Sequence, residues 1–237
     1  MSHAESSEST PTNRRAFIAS VAGTSAALAA SLGAGTLLAQ GRTFPEYPAP
    51  QGGWDLSWVD RVEKAKHRMV FDQPEVGDGL ALTNTLVYYR GYNDVYKTAD
   101  ADMGVVLVIR HAGIPTALND DMWAKLKLGE EAKLKDPTTG EPTQRNPFVN
   151  LKSDDKHAVL IGGGGLDALI ARGVNVLICN LALMRFAGRL AKAVNIPVEE
   201  ARTTIAASLV PGCIRMPSGI FAVARAQEAG CHFLKST

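Results

Sequence analysis

The sequence predicts an α/β domain built on a parallel sheet of about five strands, covered by helices on both faces. Three observations carry this. Gly104-Val105-Val106-Leu107-Val108-Ile109-Arg110 is continuously apolar and β-branched, the mark of a strand buried on both sides. Short apolar strands alternate with helical patterns from residue 166 onward, and that alternation gives parallel strands joined by crossover helices. Gly173 and Gly230 close helical stretches, as glycine does where a helix ends in a left-handed residue.

The elements follow in order. Asn13-Arg14-Arg15-Ala16-Phe17-Ile18 places a twin-arginine pair ahead of a weakly apolar run, residues 19–39, rich in Ala, Gly and Ser. Residues 1–40 therefore read as a Tat signal peptide, with Leu37-Leu38-Ala39 as a cleavage candidate. This predicts a periplasmic protein that meets a membrane only through its signal, if that stays uncleaved. Residues 41–66 read as a linker and a lead-in helix. Pro45, Pro48, Pro50, Gly52 and Gly53 exclude a helix in the first part. Trp54, Trp58 and Val62 form one side of a short amphipathic helix in the second.

The domain spans residues 67–237. A strand covers 67–72, and Gly77-Asp78-Gly79 opens a helix to about Tyr92 with Leu82, Leu86 and Tyr89 on its apolar face. After the strand at 104–110, residues 111–155 are polar and carry Pro115, Pro137, Pro142 and Pro147. They read as an insertion over one edge of the sheet, with a short helix near 120–128. Helix 166–172, strand 174–179, helices 183–194 and 198–208, strand 213–216, helix 218–227 and strand 231–234 complete the pattern.

Past the signal about 200 residues remain, enough for one domain with a full core. A formal net charge of +1, with Lys and Arg scattered, offers no nucleic-acid surface. The three cysteines, Cys179, Cys213 and Cys231, lack C-x-x-C pairing, and the five histidines lack metal-ligand spacing. No metal site and no cofactor is expected. Gly163, Gly165 and Ala168 match G-x-G-x-x-A. The helix after them is too short for a dinucleotide fold, and the next strand ends without a ribose-binding acid. The run reads as a glycine hinge.

Ligands of open α/β sheets bind beyond the carboxyl ends of the strands. Asp72, Arg110-His111, Cys179-Asn180 and Pro217-Ser218 fall there. Cys179 ends an apolar strand directly before a helix, whose first N–H groups and dipole favour a thiolate. Arg185, about one turn into that helix, adds positive charge. Such a thiolate can attack sulfur or hold a persulfide. Cysteine also fills cores, so a packing role stands beside the reactive one. Asn180, Arg185, His111 and Ser218 are the candidate binding residues around it. His111 has Asn119, Asp120 and Asp121 nearby in sequence. The favoured reading of that stretch is a solvated loop with a helix cap at Asn119 or Asp120, ahead of acid–base or metal chemistry. Cys213 and Cys231 read as core residues, and a disulfide between them would need neighbouring strands.

Leu169-Ile170-Ala171-Arg172-Gly173-Val174-Asn175-Val176-Leu177-Ile178-Cys179-Asn180, a helix ended by Gly and a strand ended by Cys, resembles the middle of DsrE-like domains. Leu209-Val210-Pro211-Gly212, Pro217-Ser218-Gly219-Ile220 and Ala226-Gln227-Glu228-Ala229-Gly230 extend the resemblance over residues 67–235, the insertion aside. It implies a three-layer α/β/α domain with a five-stranded parallel sheet, assembled as a homo-oligomer. It further implies sulfur relay, with Cys179 at the position of the sulfur-carrying cysteine, passing a persulfide between donor and acceptor proteins. Two other functions are weighed. One is a non-catalytic periplasmic ligand-binding or assembly module in which Cys179 merely packs. The other is a metal or redox-cofactor protein, since Tat moves proteins already folded.

Overall fold

β2 (Met103–Ile109), the strand most plainly marked in the sequence, forms the middle of the sheet and is buried along its whole length. The computed structural model describes residues 48–151 and 164–237. The stretch read as a twin-arginine signal, the first part of the linker and residues 152–163, with part of the glycine run, lie outside the described residues. β1 (His67–Gln73), β2, β3 (Asn175–Cys179), β4 (Ile214–Met216) and β5 (His232–Lys235) all run parallel, in the order β4-β3-β2-β1-β5.

Alternate residues of β2 feed two cores. Val105, Leu107 and Ile109 pack into the larger one, with residues of α2 (Leu80–Tyr96), α3 (Asp120–Lys125), α5 (Leu166–Ala171), α6 (Asn180–Val194) and α7 (Val198–Ala207). Leu128, which opens α4 (Leu128–Ala132), joins them. Val106 and Val108 pack into the smaller core, with α1 (Ser57–Lys64) and α8 (Gly219–Glu228). The fold is therefore a three-layer α/β/α sandwich. Among the described residues no helix is long and apolar enough to cross a membrane.

Several boundaries and placements differ from the sequence reading. Trp54 lies ahead of α1, half-buried, and Trp58, Val59 and Val62 form the buried side of the helix. α6 begins at Asn180, directly after Cys179, instead of at residue 183. Within the stretch read as an insertion, residues His111–Ala117 form a 3₁₀ turn against β2, β3 and α6, at the carboxyl ends of the central strands. Ile114, Trp123 and Phe148 from this stretch are fully buried in the larger core. Polar composition hid this, because the apolar residues here come singly or in pairs between charged and polar neighbours. Cys213 and Cys231 precede strands at opposite edges of the sheet, and both thiols are free. The disulfide that neighbouring strands would have allowed is therefore absent.

β5 closes the outer side of β1, and all four of its residues are exposed. Just beyond it, the Ser236 N–H donates to the Asp72 carbonyl at 2.9 Å. The Asn84 side chain donates to the Ser236 hydroxyl at 3.2 Å.

Candidate functional site

Parallel strands bring all their carboxyl ends to one edge, and there β1, β2 and β3 end side by side. Cys179 ends β3 and caps α6 with extended backbone, at 5% exposure. Its thiol is free, and it lines a cavity of about 70 Å³.

Four of the five residues singled out from the sequence share this cavity: Cys179, His111, Arg185 and Ser218 all line it. Arg185 and His111 are exposed. His111 sits at φ +49°, a left-handed conformation seldom taken by non-glycine residues and recurrent at functional sites. The Ser218 hydroxyl oxygen accepts the Phe221 N–H at 3.0 Å and so caps α8.

Asn180 is the exception. It is 1% exposed and does not line the cavity. Its Oδ1 accepts from Arg215 Nε at 3.1 Å and Nη2 at 2.6 Å. The expected binding residue is instead an anchor between the start of α6 and β4. Arg215 is half-buried, and burial pulls its pKa below the ordinary value. Asn119, Asp120 and Asp121 do not meet His111 around this cavity. They line a separate cavity of about 560 Å³ whose lining, among the described residues, holds no cysteine, histidine or basic residue. Asn119 is the helix cap the sequence favoured, its side chain accepting from the Met122 N–H at 3.1 Å.

Sequence reasoning assigned no role to Arg110, which also lines the Cys179 cavity. Its Nε and Nη2 donate to the two carboxylate oxygens of Asp72 at 2.6 and 2.7 Å. The Asp72 side chain is only 4% exposed and that of Arg110 18%. This fork-to-fork pairing raises the Arg110 pKa against the opposing effect of burial, with smaller Coulomb contributions from Asp72 and then Cys179. Gly219 makes room for the arrangement. A Cβ there would stand 2.7 Å from both Cβ and Cδ of Arg110, so glycine lets the arginine lie across the start of α8.

Two helix N-termini complete the site. First-turn N–H groups have no acceptor within their own helix. Leu181 and Ala182 of α6 and Gly219 and Ile220 of α8 belong to those turns and line the cavity. With Arg110 and Arg185, they make a small cationic chamber around one sulfur. The other two cysteines stand apart. Burial pushes the Cys213 thiol up to about 12 and the Cys231 thiol up to about 11. Both therefore favour the thiol form near neutral pH. Among the described residues, no group of three His, Cys, Asp or Glu side chains is arranged to hold a metal ion.

No protein-family model matches the chain, and no curated protein matches it. Among solved structures it is similar to a protein of unknown function, MTH1491, from Methanobacterium thermoautotrophicum. The two share 14% identity over 72% of this chain and 99% of that one, with a TM-score of 0.38.

Proposed function

We propose that this is an exported DsrE-like protein that accepts and passes on sulfane sulfur through Cys179. The observation that carries the reading is a free, nearly buried thiol opening into a chamber shared with two guanidiniums and two helix N-termini. The resemblance around Cys179 and the twin-arginine pair add to it.

The chemistry needs only an exchange between sulfurs. The Cys179 thiolate attacks the terminal sulfur of a donor persulfide, R–S–SH. A new S–S bond forms to Cys179, the donor S–S bond breaks, and the donor leaves as the thiolate R–S⁻. An acceptor thiolate then takes the same sulfur from Cys179–S–SH, returning the Cys179 thiolate. Both steps begin and end with one anionic sulfur near the chamber. Arg110, Arg185 and the first-turn N–H groups stabilise negative charge there.

Mass spectrometry after incubation with a low-molecular-weight persulfide tests this. The expected result is one added sulfur on the Cys179 peptide, none on the Cys213 or Cys231 peptides, and no loading in Cys179→Ser. Loading that persists unchanged in Cys179→Ser overturns the proposal.

A further inference from the structure

Asp72, Arg110 and Cys179 stand at the ends of three neighbouring strands, with β2 between β1 and β3. Gln73 pairs with Ile109, and Ile109 with Ile178. Arg110 and Cys179 therefore each follow a paired residue, and Asp72 precedes one. The register sets Arg110 and Cys179 level at adjacent strand ends; Asp72, level with Val108, sits two positions back on β1 and reaches Arg110 through its ion pair. Arg110 gives only Nε and Nη2 to Asp72. Its Nη1 has no acceptor among the described residues, while the residue itself lines the Cys179 cavity.

We infer that Arg110 sets the charge carried by Cys179, and that Asp72 is a positioning residue which both seats Arg110 and tempers its field. The inference deepens the sulfur-acceptor reading and rests on Cys179 being the nucleophile of this site. A nearby cation favours a thiolate, and a carboxylate paired with that cation offsets part of the effect. The other charged or titratable groups around the thiol are His111 and Arg185 on the cavity wall and Arg215 behind Asn180. None of these forms an ion pair with a carboxylate among the described residues, so only the Arg110 charge is locally balanced.

The two charges predict opposite effects. Site-resolved alkylation of Cys179 by iodoacetamide, read by peptide mapping over a pH series on the full chain, measures them. Arg110→Gln removes the cation and should slow alkylation at neutral pH about three- to tenfold, moving the pH–rate profile upward. Asp72→Asn removes the opposing charge, leaves Arg110 an acceptor, and should quicken alkylation and move the profile downward. Arg110→Lys keeps the charge and should restore most of the wild-type profile.

An ion pair with a purely structural role would shift Arg110→Gln and Asp72→Asn in the same direction, since each breaks one contact. That outcome overturns the inference, as does an unchanged profile in Arg110→Gln. Circular dichroism checks the fold of each variant. Should Asp72→Asn not fold, Gly219→Ala takes its place: its added Cβ displaces Arg110 without changing any charge. It should slow alkylation while Arg110→Lys does not, and a wild-type rate in Gly219→Ala counts against the inference. No sulfur donor enters these measurements. Their failure leaves persulfide loading standing, and a failure of loading leaves the profile shifts standing.

Discussion

Asn146 is fully buried and uses both ends of its side-chain amide on neighbouring backbone. Its Nδ2 donates to the carbonyls of Thr116 at 3.0 Å and Leu118 at 2.7 Å, with a longer contact of 3.4 Å to Pro115. Its Oδ1 accepts the Phe148 N–H at 2.8 Å. One side chain thus ties the segment before the undescribed residues to the turn that follows Arg110 and His111. Asn146→Ala should lower stability by about 2–4 kcal/mol, because it strands several buried backbone groups at once. Chemical denaturation measures this, and a loss below about 0.5 kcal/mol would show that the turn holds its shape unaided. Nothing in the sequence marks Asn146, since its value comes from partners about 30 positions away. Cys179, His111 and Ser218 were legible for the opposite reason: each falls at or just after a strand end, and parallel topology gathers those ends, while Arg185 follows Cys179 along α6. The anchoring role of Asn180 was not legible, because Arg215 lies 35 positions along the chain.

The elements around the large core are bolted together by a second ion pair. Arg172, just past α5, donates from Nε and Nη2 to Asp100, ahead of β2, at 2.8 and 2.9 Å. Asn93 of α2 adds a bond to the same carboxylate at 3.1 Å. The Arg172 guanidinium also lies 4.4 Å above the Tyr89 ring. Arg172, chiefly, holds the Asp100 pKa below its ordinary value. A carboxylate lowered on folding contributes stability that is full above the unfolded pKa of about 3.9 and drains away as pH falls through the folded value. Arg172→Gln should therefore cost up to about 1 kcal/mol near neutral pH, discounted because both side chains are partly exposed. The gap between variant and wild type should close on acidification below about pH 4. Urea denaturation at several pH values tests this, and a gap of constant size would refute it. β2 and α6 were readable from apolar pattern alone. The 3₁₀ turn His111–Ala117 was not, because hydrogen bonds and not periodicity hold it in the core.

For the whole molecule, the sequence sets the layers but not the order of the strands. Alternating strands and helices announce a parallel sheet. Only the pairing of β5 with β1 reveals that α8 carries the chain from one edge, β4, back to the other. Arg110 went without a role for the same reason, since its partner depends on which strands are neighbours. The export reading belongs at this scale as well. Changing Arg14 and Arg15 together to Lys should retain the protein in the cytoplasm of a Tat-competent bacterial host, measured by cell fractionation. Equal periplasmic yield from both chains would remove that part of the proposal. The place of β5 has a further consequence. It alone covers the outer side of β1, and the residue just after it gives the Asp72 carbonyl its Ser236 donor. The last few residues of the fold therefore brace, from outside, the strand that carries the partner of Arg110.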